Sequence, residues 1–363
     1  MSKKKSKLKI AQEQAEKAIN ETNKKIGELG NNTGRIYEEL NSLQLLFDAI
    51  RNVPNEKRLE YERLKKIRMN WKQQAEKIEA DYKKAAVKNA GKGVAGVGAG
   101  VAVVALGPTA AMGIATTFGV ASTGTAISTL SGAAATNAAL AWLGGGALAG
   151  GGGGMAAGEA FLALAGPVGW AIAGATLIGS GILLWKGKSD QNRLEDIFTL
   201  ISKRDVKSYE LAIVEMNECI RRIIDESQKL TAAIERTKSF GLDYDLMTDA
   251  QQYELGAYVN LMNSSTQLLI KPINGLQPKY SDNDLDEYLS SRKKNLDEKE
   301  KQLITSLANF LYKIDMDDKD WHLLWKSFKG NKKFLSFFKM KKKEFKFSII
   351  ETVSDALKYK YRS

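Results

Sequence analysis

Between residues 93 and 185 the chain carries no Lys, Arg, His or Asp and a single Glu, Glu159. In a 363-residue protein of which 26% is charged, that block restricts the available folds more than any other feature. Of the 32 glycines, 25 fall between Gly91 and Gly187, set among Ala, Val, Leu, Ser and Thr instead of polar loop residues. Gly and Ala bury little side-chain area, and each Gly inside a helix costs about 1 kcal/mol relative to Ala, so a water-soluble core made of them gains little per residue. In a bilayer the balance reverses, because a helix satisfies its own backbone there and small residues let two helices approach closely. Residues 91–187 therefore read as a membrane-competent module.

Within it Gly146, Gly150, Gly154 and Gly158 recur every four residues, as do Gly96 and Gly100, while Gly124, Ser128, Gly132 and Thr136 form a third row. Such rows predict glycine zippers, although the runs at 144–146 and 150–154 also suit a turn. With about 20 apolar residues needed per pass of a bilayer roughly 30 Å thick, two or four passes fit. The Gly107-Pro108 pair interrupts the block, and residues 156–185 are long enough to span despite Pro167. An even number of passes is expected because both flanks are basic: Lys83, Lys84, Lys88 and Lys92 before, Lys186, Lys188 and Arg193 after. Trp142, Trp170 and Trp185 are candidate interface anchors or ordinary core aromatics. Glu159, expensive in a bilayer, is a candidate pore-lining or pH-sensing group or the polar residue of a turn.

Both flanks predict helices. Residues 6–29 are rich in Ala, Glu, Lys and Gln with a thin apolar stripe, which predicts an exposed helix ending at Gly30 to Gly34. A stronger heptad follows at Ile36, Leu40, Leu43, Phe47 and Ile50, stopped by Pro54. Residues 55–89 place Leu64, Ile67, Trp71, Ala75, Ile78, Tyr82 and Ala85 on one face, and residues 207–238 place Tyr209, Ile213, Met216, Ile220, Ile223, Leu230 and Ile234. The economical architecture is all-α: stems at 1–90 and 188–271, the helices on either side of the apolar block pairing antiparallel, and a basic helical region at 272–363. A shorter helix is expected over 245–270, with Leu246, Tyr253, Val259 and Leu261 among its apolar positions. Pro272, Gly275 and Pro278 mark a linker. Ser281 to Asn283 can cap one charged helix running to about Tyr312.

The end of the chain interleaves aromatics with lysines, among them Lys332, Lys333, Lys339, Lys341, Lys342 and Lys343. With a net charge of +12 it suits an anionic lipid surface, or nucleic acid as a less favoured partner. A helical subdomain with an aromatic core and solvated lysines fits equally. No phosphate-binding G-x-x-x-x-G-K-[ST] loop is present. His322 is the only histidine and Cys219 the only cysteine, which leaves almost no material for metal clusters, disulfides or nucleophilic triads. No enzyme activity, cofactor or small-molecule substrate is expected. The N-terminus is basic but lacks an apolar run after it, so synthesis in the cytosol without a secretory signal is expected.

Long amphipathic stems bracketing an apolar hairpin, across residues 36–238, resemble the α-helical pore-forming toxins of the haemolysin type. Separately, residues 118–158, with Ser-Gly-Ala-Ala-Ala-Thr-Asn at 131–137 and Gly-Gly-Gly-x-x-x-Gly at 144–150, are similar to the small interferon-inducible glycine-rich membrane proteins. The first resemblance implies a protein that stores an apolar hairpin against a helical bundle and inserts it on assembly, as a homo-oligomer or with a partner protein. Its membrane would be the cell's own inner membrane or, after export, that of a target cell. A non-lytic membrane-anchored scaffold is the alternative.

Overall fold

The computed structural model describes residues 7–90, 108–118 and 187–361, apart from 331–334, 336, 337 and 339. The described residues are all-α. They contain no strand, only one isolated bridge between Arg51 and Asp243.

Helix α1 (Lys7–Ala49) is a single 43-residue helix. It runs straight through Gly27, Gly30 and Gly34, where the sequence predicted a break. Its buried positions Leu8, Ala11, Ala15, Ala18, Thr22, Ile26, Leu29, Thr33, Ile36, Leu40, Leu43 and Phe47, with Ile50 just past its end, follow one another at steps of three and four, so one continuous stripe faces the core. The early turns expected to be exposed are thus half of a long seam. After the turn at Pro54, α2 (Asn55–Ala90) buries Tyr61, Leu64, Ile67, Trp71, Ala75 and Ile78. Tyr82 and Ala85 lie on α2 where side chains are outside the described set.

Beyond the apolar block, α4 (Lys188–Lys238) is 51 residues long, starting well before the expected residue 207. Its stripe includes Leu194, Ile201, Tyr209, Ala212, Met216, Ile223, Leu230 and Ala233. Its main partner is α1, not α2. Residues 14–21 of α1 lie beside 200–213 of α4. Further along, Ser227 Oγ donates to Glu39 Oε2 at 2.5 Å, and Arg51 N donates to the Leu242 carbonyl at 2.9 Å. Both helices ascend together, so the long pair is parallel. The antiparallel pairing of the block's two flanking helices gives way because α1 and α4 carry the two longest matching heptad stripes, and burying both along their full length removes the most apolar surface.

The antiparallel partners come from the second helix of each hairpin. On α2, Lys65 Nζ reaches Asp48 at 2.9 Å and the Trp71 ring packs 5.4 Å from that of Tyr37. On α5 (Asp249–Ile270), Glu254 pairs with Arg236, and Ser264 and Ser265 donate to Glu226. A Thr248–Gln251 capping box starts α5, preceded by a short 3-10 turn at Tyr244–Leu246. Val259 is buried, but Leu246 and Tyr253, expected on its apolar face, are more than 80% exposed.

The C-terminal residues form a helical cluster around the first half of α4. The single charged helix expected from 281 to 312 is two helices, α6 (Asp282–Arg292) and α7 (Glu298–Leu311), separated where Lys293 adopts a left-handed conformation with φ 51°. Ser281 and Asp284 close a capping box on α6. Helices α8 (Asp318–Gly330) and α9 (Phe347–Lys360) complete the cluster. Phe198 of α4 meets Phe310, which meets Phe328, at ring separations of 5.9 and 6.1 Å. Asn309 ties it to the linker: its Oδ1 accepts from Lys279 N and Tyr280 N, and its Nδ2 donates to the Tyr280 and Thr305 carbonyls.

Candidate functional site

One part of the apolar block is among the described residues: α3 (Pro108–Phe118, sequence PTAAMGIATTF). Pro108 is its first helical residue, where a missing N–H costs nothing and the fixed φ suits a helix. An 11-residue helix is marginal in water by itself, so its order here depends on what surrounds it. It lies in a cradle formed by α1, α2 and α5. Ala111, Ile114, Ala115, Thr116 and Thr117 are all at most 1% exposed.

Glycine makes this seat possible. A methyl group on Gly30 of α1 would stand 1.8 Å from the Thr109 carbonyl oxygen, and one on Gly113 of α3 would stand 2.1 Å from the Ile26 carbonyl oxygen. No side chain fits between these two backbones. One turn further on, a methyl on Gly34 would stand 3.0 Å from Met112 Sδ. The Gly30-x-x-x-Gly34 pair is therefore a small-residue helix contact, which explains why α1 does not break there. Polar bonds fix the register of α3. Trp71 Nε1 donates to Thr116 Oγ1 at 3.1 Å, and Ile273 N and Gln277 Nε2 both donate to the Thr117 carbonyl, at 2.9 and 2.8 Å.

Two buried charges flank the long seam. Arg68 of α2 is 1% exposed, and its guanidinium donates to Gln44 Oε1 at 2.7 Å and Thr266 Oγ1 at 3.3 Å, both neutral, with no carboxylate in ion-pair range among the described residues. Burial pulls its pKa down to about 10, offset in part by nearby Tyr37, Asp48 and Glu62. On α4, Asp205 is fully buried. Arg204 grips its Oδ1 from Nε and Nη2 at 2.9 and 2.7 Å, but Oδ2 has no partner, and burial pushes the carboxyl up to about 6. The same guanidinium donates to the Phe310 and Tyr312 carbonyls and lies 4.0 Å over the Tyr312 ring, so it pins the C-terminal cluster to α4.

An open groove of about 840 Å³ runs between the early turns of α1 and α4. Its rim has mixed sign, Lys17, Lys203, Lys207 and Lys313 against Glu21, Glu210 and Asp315, so it singles out no anionic ligand. Cys219 is buried and its thiol pushed up to about 11 by burial, which makes it a poor nucleophile. Among the described residues no group of His, Cys, Asp and Glu could hold a metal, and His322 stacks on Phe347 at 3.9 Å.

The expected zipper residues Gly96, Gly100, Gly124, Gly132, Gly146, Gly150, Gly154 and Gly158, with Glu159, Pro167, Trp142, Trp170 and Trp185, lie outside the described residues, as do Lys332, Lys333 and Lys339. Lys341, Lys342 and Lys343 are exposed on a turn where Glu344 accepts the Lys341 N–H at 2.8 Å. The aromatics near them, Trp321, Phe328, Phe338 and Phe345, are core residues. Among the described residues no helix is long and apolar enough to cross a membrane. Gly30, Gly113, Arg68 and the Arg204–Asp205 pair escaped the sequence reading. The i, i+4 spacing of Gly30 and Gly34 was the one available signal. Against known proteins, no family model, no curated protein and no solved structure matches the chain.

Proposed function

We propose that this protein inserts into and permeabilises membranes through its apolar block, as a pore-forming or cell-killing effector and not as an enzyme. The observation that carries the reading is the block itself: 93 residues with one ionisable side chain, spliced between long amphipathic helices. So large an apolar stretch cannot stay uncovered on a soluble monomer without aggregating, so it is either covered by its own chain or embedded in lipid. The seat of α3 on the bundle supports covering, since a piece of the block that carries no charged residue packs there. The finer architecture belongs to the same proposal: a membrane hairpin stored against stems, as in the haemolysin-type toxins, assembling into homo-oligomers or with a partner protein. The exposed lysines at 341–343 suit attraction to anionic headgroups, each worth about 1 kcal/mol near such a surface.

The test is flotation and dye release with vesicles of phosphatidylglycerol and phosphatidylcholine. Wild-type protein is expected to float and to release dye. The variant Gly150→Leu/Gly154→Leu is expected to keep the soluble fold and lose release, because two large side chains separate helices that small residues hold together. Flotation without release would favour the anchored scaffold instead. Neither flotation nor release at any pH from 4 to 8 would end the membrane reading.

A further inference from the structure

Resting on that reading, we propose that α3 is the latch of the apolar block: it leaves its cradle as one unit, before the rest of the bundle opens, and its departure frees the block to insert. Three observations carry this. First, α3 is held without an ionic contact. It contains no charged residue, and among the described residues the side-chain and linker bonds that hold it come from Trp71, Ile273 and Gln277. Thr117 also bonds its own helix through Gly113 O at 2.8 Å, so that hydroxyl travels with the helix already satisfied. Nothing on α3 has to lose a counter-ion on moving from protein to lipid.

Second, the seat is geometrically exacting. The backbone of α3 meets that of α1 at Gly30 and Gly113 without room for a methyl group. Such a contact is either made in full or lost, because dispersion falls off steeply with a small gap. This is the behaviour of a catch and not of a sliding surface. Third, the main seam of the bundle does not run through it. The α1–α4 seam extends along most of both helices, and α5 packs on α4 through its own ion pair and serine bonds. These three helices have a way to stay packed while α3 is out; α2, whose largest helix contact is α3, is then left on α5 and on its Lys65–Asp48 and Arg68–Gln44 bonds to α1. Once released, α3, at 11 residues, has no way to stay ordered in water.

Two measurements decide it. The first is amide hydrogen exchange of the full-length protein in solution. Amides of α3 are expected to exchange together, with protection at least about tenfold below that of the middle of α1 and α4. Exchange of α3 only with global unfolding would overturn the latch. The second is a covalent lock, Gly34→Cys/Met112→Cys in a Cys219→Ala background, chosen because a methyl on Gly34 already points at Met112 Sδ. The oxidised, cross-linked protein is expected to release no dye from phosphatidylglycerol vesicles, and reduction is expected to restore wild-type release. Undiminished release from verified cross-linked protein would overturn the latch and leave the membrane reading intact. Should neither native nor reduced protein release dye while α3 still exchanges first, the membrane reading falls and the local release of α3 stands.

Discussion

Replacing Asp205 with Asn should change how stability responds to pH, in a direction opposite to that of ordinary surface carboxylates. The side chain is fully buried in α4, with Arg204 on Oδ1 and nothing on Oδ2, and its carboxyl sits at about 6 against 3.8 for the unperturbed group. Burial is the main cause and outweighs the attraction of Arg204, which acts the other way. Because the folded-state pKa is raised, the folded chain takes up this proton at a pH where the unfolded chain is still ionised. The folded state is therefore favoured progressively as pH falls from about 6 towards 4, and that gain is lost as pH rises back through 6. A shift of roughly 2 units corresponds to about 3 kcal/mol. Other carboxylates, such as Glu218, Glu254 and Asp317, are held below their usual range chiefly by arginine hydrogen bonds and oppose this slope, so the informative quantity is the difference between wild type and variant. Urea titrations at pH 4, 5, 6 and 7 should show wild type gaining about 2 kcal/mol of this on Asp205→Asn between pH 7 and pH 4, the remainder coming only below pH 4. A difference constant within about 1 kcal/mol would refute the account of a buried, half-satisfied carboxylate. The sign also bears on triggering: acidification acting through Asp205 favours the folded chain over the unfolded one.

Removing Gln44 alone, as Gln44→Leu, leaves the Arg68 guanidinium buried with less support and should cost about 2–3 kcal/mol, whereas Gln44→Leu/Arg68→Met should be neutral or stabilising by up to about 4 kcal/mol. Urea midpoints that rank the double variant below the single one would contradict this reading of the layer. Asn309→Leu strips partners from Lys279 N, Tyr280 N and the Tyr280 carbonyl, and should destabilise by about 3 kcal/mol or more. A loss below about 1 kcal/mol by thermal unfolding would show that water replaces the amide.

The sequence declared its helices through periodicity, and where the stripe was strong, as at Ile36 to Ile50 or Leu64 to Ile78, the buried positions follow it. The failures have physical causes. Gly30 and Gly34 look like a break because glycine costs helix stability in water, and only a second backbone pressed against them reverses that cost. The gap between α6 and α7 carries no glycine at its turn; Lys293 takes the left-handed conformation, which composition does not announce. Pairing between distant stripes was invisible because α1, α2 and α4 all offer compatible heptads, and nothing local says which two run side by side. Arg68 and Asp205 look like any other charged residue on a helix until the neighbouring helices are placed around them.

The parallel pairing of α1 with α4 has a consequence for how the chain is made. During synthesis α1 emerges first, but its partner begins about 140 residues after it ends. At about 5–20 residues per second the ribosome takes roughly 7–30 s to supply that distance, and nearly all of the apolar block comes out within the interval. For those seconds the stripe of α1 has no mate and the block has no completed bundle to lie against. Whatever first meets the nascent chain then, a bilayer or a chaperone, competes with the seam that closes only when α4 is released.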